Sequence, residues 1–232
     1  MKFLLTSGGI SNASIRNALV ELLGKPIAES SALYIPTALH ANPKGPAILA
    51  MLLHGDANEQ RLFFGTTAFP LCALGWKSLG VLELTALPSL DKEQWLPLVQ
   101  ETDALLVEGG DPLYLCYWMR QSGVADLLPQ LPREIVYVGL SAGSMVMAPS
   151  IGEDFVRWKP PTGGDSTLGL VDFAMFPHLD HPDMPDNSLA NAEKWAADMP
   201  VPSYLMDDQT AIQVVDGEVS VISEGHWKRF VP

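Results

Sequence analysis

Cysteine and charge are both scarce in this chain of 232 residues. Its two cysteines, Cys72 and Cys116, are too few for a scaffold held together by disulfides. Charged residues make up 18% of the chain and the hydrophobic set 47%, which excludes intrinsic disorder, because disordered chains are poor in apolar residues. A chain of this length buries roughly 70–75% of the surface that it exposes when unfolded, so a hydrophobic core is readily built.

Basic residues and long hydrophobic runs are missing as well. Lys and Arg number 14 against 27 Asp and Glu, and a net charge of −13 repels phosphate backbones, so we expect no nucleic-acid partner. No stretch approaches the roughly 18 apolar residues of a membrane span. The apolar run near the first residue is too short for the core of a signal peptide. We therefore expect a cytoplasmic protein without a membrane partner, either monomeric or homodimeric.

Short apolar runs alternate with helical patterns over the first 150 residues. This alternation predicts an α/β fold with a mostly parallel sheet flanked by helices. The predicted strands are residues 3–6, 32–35, 80–84, 104–107 and 135–140. The predicted helices are residues 12–23, 46–64, 91–100 and 112–121, with another beginning at 144–147.

The last third of the chain is rich in predicted strands, at residues 171–176, 203–206, 211–215 and 219–223, with one helix near 188–199. Asp216-Gly217 between the last two strands is a strong signal for a β-hairpin. No linker separates this part from the rest. We expect a single α/β domain over residues 1–232, with a C-terminal hairpin at one edge of the same sheet.

The segment Gly139-Leu140-Ser141-Ala142-Gly143-Ser144 follows a predicted strand and precedes a predicted helix. This context favours a nucleophile elbow, a tight turn that lifts the serine hydroxyl out of the sheet. The small residues allow neighbouring backbone to approach, and the N–H groups at the start of the helix suit a developing oxyanion. The alternative is an ordinary glycine-bracketed turn without chemistry.

A second glycine turn, Glu108-Gly109-Gly110-Asp111, also follows a predicted strand. Sites in open parallel sheets form beyond the carboxyl ends of the strands. An N–H group of Gly109 or Gly110 is therefore a candidate oxyanion donor beside that of Ala142.

Two further strand ends carry groups that a serine nucleophile requires. His178 follows the predicted strand 171–176 and is a candidate general base. Asp207 and Asp208 follow the predicted strand 203–206, and either is a candidate for the acid that orients the base.

Together these segments resemble the peptidase E (aspartyl dipeptidase) family, whose superfamily includes cyanophycinase. The motifs are the strand followed by Gly-Gly-Asp, then Gly-Leu-Ser-Ala-Gly-Ser, Phe-Pro-His and Asp-Asp-Gln-Thr-Ala-Ile, and the resemblance spans essentially the whole chain. It implies a fold similar to that of the class I glutamine amidotransferases. It also implies a serine peptidase, a dipeptidase acting through an acyl-enzyme on small peptides with an N-terminal acidic residue, without a cofactor or metal.

The resemblance also implies roles for individual residues. Ser141 matches the nucleophile, His178 the base, and Asp208 the acid when it is counted back from Thr210, with Asp207 as the second choice. The oxyanion hole falls on the N–H groups of Gly110 and Ala142.

The chain departs from the family pattern at two places. Asp111 stands where many members carry Asn, and the segment 154–160 that follows the nucleophile cannot be aligned securely. Arg157 and Lys159 in that segment flank Trp158 and are the candidate residues for binding an acidic side chain. Solvated surface charges are the alternative interpretation of both.

Three other functions remain open on the sequence. An α/β-hydrolase-type esterase would use the order Ser141, Asp208 and His226. A metal hydrolase would bind its ion through His178, Asp180 and His181 with Asp183 nearby, whereas His54-Gly55-Asp56, the other group considered, supplies too few ligands. A binding module with a catalytically dead site on the same scaffold is the non-enzymatic alternative.

Overall fold

The computed structural model describes residues 1–54, 71–132 and 134–232. Its strands are β1 (Lys2–Thr6), β2 (Ser31–Ile35), β3 (Ser78–Val81), β4 (Ala104–Val107), β5 (Val136–Leu140), β6 (Ala174–Phe176), β7 (Ser203–Met206), β8 (Thr210–Val215), β9 (Glu218–Ser223) and β10 (Trp227–Phe230). Its α-helices are α1 (Ala13–Leu23), α2 (Gly45–His54), α3 (Lys92–Glu101), α4 (Pro112–Gln121), α5 (Val124–Leu127), α6 (Ala142–Met145) and α7 (Leu189–Asp198).

Seven strands form one sheet in the order β3-β2-β4-β5-β1-β8-β9. The five strands from β3 to β1 are parallel, and β8 and β9 extend the β1 edge in antiparallel orientation. The predicted α/β fold with a mostly parallel sheet is thus confirmed, and the predicted hairpin lies at one edge. Asp216 and Gly217 both adopt positive φ angles, as a two-residue hairpin turn of the mirror-image type requires.

Strands β6, β7 and β10 form a separate sheet in the order β10-β7-β6, so β8 and β9 are the strands of the C-terminal third that belong to the main sheet. Phe176 and Leu205 from this small sheet pack with Trp195 of α7 in a hydrophobic cluster of their own. The sequence of a short apolar strand does not show to which sheet it belongs. Packing on Trp195 of α7 distinguishes β6 and β7 from the strands of the main sheet. Strand β10 was not predicted, because its Trp227-Lys228-Arg229 run is largely exposed and carries no alternating apolar pattern.

Several predicted boundaries differ from the structure. Strand β3 begins two residues before the predicted segment 80–84, and the strand predicted at 171–176 is limited to β6. The helix after Ser141 is only the single turn α6. Helix α2 covers part of the predicted helix 46–64, and the remainder lies outside the described residues.

The helix caps follow local side-chain chemistry. Asn12 accepts a hydrogen bond from the N–H of Ile15 at the start of α1, and Ser188 does the same for Asn191 in α7. Asp91 precedes α3 but makes no capping hydrogen bond with its side chain.

The central strands hold the core and fix the edge where polar residues gather. All four residues of β4 are buried, and β1 and β5 are buried over most of their length. In the parallel register, Thr6 at the end of β1 lies opposite Leu140 at the end of β5, and Val107 at the end of β4 lies opposite Gly139. Among the described residues, no helix is long and apolar enough to cross a membrane.

Candidate active site

Ser141 occupies a strained turn between β5 and α6. Its φ of 48° and ψ of −110° lie outside the regions that non-glycine residues favour, as expected of a residue whose side chain is forced out of a tight turn. The turn requires Gly143, because a Cβ there would lie 2.2 Å from the carbonyl oxygen of Val107. The backbone oxygen of Ser141 accepts hydrogen bonds from the N–H groups of Ser144 and Met145. Ser141 thus lies in a tight strand-to-helix turn at the end of β5.

The structure brings Ser141, His178 and Asp208 into one hydrogen-bonded chain. The Nε2 atom of His178 lies 2.8 Å from Oγ of Ser141, and its Nδ1 atom lies 2.7 Å from Oδ1 of Asp208. His178 follows β6 with a φ of 58°, a left-handed conformation that turns its ring back toward the end of β5. The arrangement suits proton transfer from the serine hydroxyl to the imidazole, with the carboxylate holding the ring.

The side chain of Asp207 makes its hydrogen bonds away from His178. Its Oδ1 atom accepts a hydrogen bond from the hydroxyl of Thr210 at 2.6 Å, and its Oδ2 atom accepts one from the N–H of His226 at 2.7 Å. These contacts tie the β7–β8 turn to the start of β10. Of the two adjacent acids, Asp208 is therefore the one that contacts His178.

The pKa of Asp208 lies below its ordinary value, although burial acts to raise it. The hydrogen bond and electrostatic interaction with His178, the hydrogen bond from Ser7 and the electrostatic interaction with His181 outweigh the effect of burial. His181 Nε2 lies 3.6 Å from Oδ2 of Asp208, too far for a hydrogen bond. Asp208 is therefore held as a carboxylate, the form that can orient and stabilise a charged imidazole.

Ser7 is a member of this network that the sequence did not reveal. It is fully buried directly after β1, and its hydroxyl accepts a hydrogen bond from the backbone N–H of His178 at 2.7 Å. The same hydroxyl donates to Oδ1 of Asp208 at 3.0 Å. Gly8 allows the close approach, because a Cβ there would lie 2.6 Å from Cβ of Asp208. Ser7 thus links the backbone of the candidate base to the carboxylate of the candidate acid.

The candidate oxyanion donors lie on the two glycine turns. Within the described part of the chain, the N–H groups of Gly110 and Ala142 have no hydrogen-bond acceptor, whereas that of Gly109 is bound to Oε1 of Glu108 at 3.0 Å. Gly110 has a φ of 141°, and a Cβ there would lie 2.3 Å from the carbonyl oxygen of Ala38, so only glycine fits. Of these two glycines, Gly110 is the one whose backbone N–H is free to bind an oxyanion.

Glu108 is a buried carboxyl group beside these donors. Its Oε2 atom accepts a hydrogen bond from the hydroxyl of Tyr34 at 2.7 Å. Burial raises the pKa of Glu108, and the hydrogen bonds from Tyr34 and Gly109 oppose that effect without reversing it. Burial raises the pKa of the Tyr34 hydroxyl as well, so this group keeps its proton.

A cleft of about 600 Å³ opens over Ser141 and His178. Arg157 lines it and is the one Lys or Arg among its described lining residues, and Asp183 and Asp186 line it as well. Lys159 lies beside a separate cavity with Glu153 and Gly163. The structure therefore brings Arg157, and not Lys159, to the cleft.

Asp111 holds the segment that carries Arg157 against the candidate oxyanion turn. Its Oδ1 atom caps α4 by accepting from the N–H groups of Leu113 and Tyr114, and its Oδ2 atom accepts from the N–H of Trp158 at 2.9 Å. An Asn at this position has one acceptor oxygen and could not make both sets of contacts. The departure from the family pattern at Asp111 therefore has a structural role.

The residues of the rival hypotheses do not converge. His226 is exposed, and its ring contacts Asp180 and Asp207 instead of Ser141. Asp180 thus faces His226, whereas His181 faces Asp208. Within residues 1–54, 71–132 and 134–232, no three His, Cys, Asp or Glu side chains are grouped as metal ligands. Gly55 and Asp56 of the other metal hypothesis lie outside the described residues.

Comparison with known sequences gives a consistent family. Residues 67–222 match peptidase family S51. The chain is 28% identical over 133 residues to an uncharacterized peptidase of Pasteurella multocida, covering 54% of this chain and 62% of that protein. It is 35% identical over 91 residues to peptidase E of Streptomyces coelicolor, covering 38% of this chain and 37% of that protein. The matches thus span less than two thirds of either curated relative.

Solved structures share the fold over nearly the whole chain. A candidate peptidase E from Listeria monocytogenes EGD-e superposes with a TM-score of 0.64 at 19% identity, covering 97% of this chain and 98% of that one. A peptidase from an acI-B1 actinobacterium superposes with a TM-score of 0.58 at 18% identity, covering 99% and 93%. At these identities the similarity concerns the fold.

Replacing Ser7 by Ala tests the bridge between His178 and Asp208. The variant leaves the N–H of His178 without its acceptor and removes one hydrogen bond from the carboxylate, so we expect labelling of Ser141 by a serine-directed phosphonate to slow about tenfold. Ser30→Ala is the matched control, because Ser30 is equally buried and donates to the carbonyl of Pro26, away from the site. Equal labelling rates in Ser7→Ala and Ser30→Ala would contradict the role of Ser7.

Replacing Glu108 by Gln tests the ionisation of the buried carboxyl. Because its folded-state pKa is raised, the contribution of Glu108 to stability is complete below its unfolded pKa and is lost as the pH rises through the folded value. The Gln variant cannot ionise, so its unfolding temperature should gain on that of the wild type as the pH is raised from about 5 to about 9. Thermal unfolding over this range measures the difference, with the exposed Glu21→Gln as control. Parallel curves for Glu108→Gln and the wild type would contradict the expectation.

Proposed function

Because the chain belongs to peptidase family S51, we propose that it is a serine-type exopeptidase, a dipeptidase that hydrolyses small peptides with an N-terminal acidic residue (Asp-Xaa). The observation that carries the proposal is the continuous hydrogen-bonded chain from Ser141 through His178 to Asp208, which opens into the cleft. This order of groups matches the logic of a serine-histidine-acid triad.

Acylation begins when Oγ of Ser141 attacks the carbonyl carbon of the scissile peptide bond. Nε2 of His178 takes the hydroxyl proton, and the carbonyl oxygen becomes an oxyanion that accepts hydrogen bonds from the N–H groups of Gly110 and Ala142. Collapse of this intermediate breaks the carbon–nitrogen bond. His178 then gives its proton to the leaving amine, and an acyl ester on Ser141 remains.

Deacylation repeats the steps with water. His178 removes a proton from the water that attacks the ester carbon, and it returns that proton to Oγ of Ser141 as the acid product leaves. Asp208 stabilises the imidazolium formed in both halves, and its 2.7 Å contact to Nδ1 leaves Nε2 directed at the serine. The proton transfers in both halves use the groups that this hydrogen-bonded chain joins, and the N–H groups of Gly110 and Ala142 stabilise the oxyanion.

The charges of the cleft favour a short peptide with a free N-terminus. Arg157 provides a planar pair of donors for an acidic side chain, and a guanidinium binds a carboxylate in a two-pronged geometry. Asp183 and Asp186, which also line the cleft, complement the ammonium group that every unblocked peptide carries. A substrate with both charges close to its scissile bond fits this distribution.

Substitutions in the triad test the mechanism. Ser141→Ala should reduce turnover by about a millionfold while leaving the fold intact, and Asp208→Asn should reduce it by about ten-thousandfold. Asp207→Asn is the matched control, because Asp207 contacts Thr210 and His226 instead of His178. Dipeptide hydrolysis, circular dichroism and phosphonate labelling measure these effects.

Three results would contradict the assignments. Wild-type turnover in Ser141→Ala would show that Ser141 is not the nucleophile. A greater loss in Asp207→Asn than in Asp208→Asn would assign the role of the acid to Asp207. A folded wild-type protein that neither hydrolyses peptides nor reacts with the phosphonate would favour a binding module.

A dipeptide panel tests the substrate assignment. The panel varies the first residue and includes N-acetylated Asp-Xaa, and it is run on the wild type, Arg157→Ala and Lys159→Ala. If Arg157 binds the acidic side chain, its removal should lower kcat/KM for Asp-Xaa by about ten- to hundredfold and leave neutral substrates unchanged. Lys159→Ala is the control, since Lys159 lies beside another cavity. Equal losses on all substrates would make Arg157 structural, and failure of the wild type to cleave Asp-Xaa would refute the aspartyl preference.

A further inference from the structure

Glu108 is a titratable group in the core that the proposed chemistry does not use. It follows β4 directly, and 6% of its surface is exposed. Its carboxyl group accepts hydrogen bonds from the hydroxyl of Tyr34 on β2 and from the N–H of Gly109. Burying a carboxyl group is costly, and neither of these partners is a cation that would offset a negative charge. An apolar side chain would cost less free energy to bury at this position, so a role in the site explains the carboxyl group better than core packing does.

The turn that follows Glu108 consists of Gly109 and Gly110 and lies against the candidate nucleophile. A Cβ placed on Gly109 would be 3.4 Å from Cβ of Ser141. Two consecutive glycines have wide backbone freedom, so the direction of the Gly110 N–H has to be fixed by contacts on either side. On one side, the N–H of Asp111 donates to the carbonyl of Ala38 at 3.1 Å. On the other side, the contact is the carboxyl group of Glu108 on the N–H of Gly109.

We propose that Glu108 is a positioning residue that directs the oxyanion-binding N–H of Gly110 by holding the peptide group between Glu108 and Gly109. Rotation within Gly109 turns the next peptide group, which carries that N–H. The inference rests on the proposed function, because it presumes that an oxyanion forms at Ser141. Glu108 itself does not contact the reacting atoms and acts through the backbone.

The contacts on the carboxyl group define what it supplies. Oε1 accepts a hydrogen bond from the N–H of Gly109. Oε2 accepts one from the hydroxyl of Tyr34 on β2, and this contact orients the plane of the carboxyl group. Burial raises the pKa of Glu108. The contact to Gly109 requires only an acceptor oxygen at Oε1, which an uncharged side chain can also provide. An amide side chain has that oxygen and can donate to the oxygen of Tyr34 instead.

Three variants separate positioning from stability. Glu108→Gln keeps the acceptor for Gly109. The double variant Glu108→Leu with Tyr34→Phe removes the acceptor and the hydroxyl together, so the hydroxyl of Tyr34 is not left unpaired and only the N–H of Gly109 loses its partner. Tyr34→Phe alone is the matched control, since it shares the lost hydroxyl and retains the contact to Gly109.

The readouts are kcat and KM on the dipeptide substrate, the rate of phosphonate labelling, and circular dichroism to establish folding. We expect the double variant to lose about ten- to hundredfold in kcat with KM within about twofold, because donors to an oxyanion act in the transition state. Phosphonate labelling should slow in parallel, because the phosphonyl oxygen occupies the same hole. Glu108→Gln should retain most of kcat, and Tyr34→Phe should lose less than the double variant.

Two outcomes would overturn the inference while leaving the proposed function in place. One is a folded double variant with wild-type kcat and labelling. The other is a Glu108→Gln variant as impaired as the double variant, which would make the charge the essential property. Absence of both turnover and labelling in the wild type would overturn the proposed function, and the inference with it.

Discussion

The register of β1 between β5 and β8 is the constraint on which the candidate site depends. Thr6 pairs with Leu140 on one side and with Ala211 on the other, so the residues just beyond these positions meet at one edge. Ser7 and Ser141 follow the ends of β1 and β5, and Asp208 precedes β8. Successive side chains of a strand point to opposite faces, so a shift of one residue would turn every side chain of β1 over and separate these groups.

The site concentrates conformations and burials that a stable core avoids. Ser141 and His178 hold positive φ angles without being glycine, and Glu108 brings a carboxyl group into the core. Each such feature costs of order 1–3 kcal/mol and persists only where its surroundings fix it. Ser7 fixes the conformation of His178 by accepting a hydrogen bond from its N–H. Gly143 fixes the conformation of Ser141, because the absence of a Cβ lets β4 approach the turn. These neighbours therefore hold Ser141 and His178 in the conformations that align the candidate site.

The sequence was sufficient to predict the parallel sheet and the strand ends that carry polar residues, because both follow from local patterns of apolar residues and glycine. It left Asp207 and Asp208 open, since adjacent residues at a strand end differ only in which way the chain turns. Ser7 was not predicted as part of the site, because a serine before two glycines is also typical of an ordinary turn. Its role depends on β8 and His178, which are distant in sequence. The small sheet escaped prediction for a similar reason, as its strands are assigned by packing on Trp195.

The net charge of the chain and the charge of the cleft act over different distances. A protein at −13 repels an acidic peptide as it approaches, but at physiological ionic strength this repulsion is screened beyond about 8 Å. The ionisable groups that line the cleft itself are Arg157, His178 and the four acidic residues Glu108, Asp111, Asp183 and Asp186. The global charge therefore bears on the rate of encounter, and the local arrangement bears on which peptide stays bound long enough to react. A preference for acidic peptides is thus compatible with an acidic protein, provided that a single guanidinium is directed at the right atom.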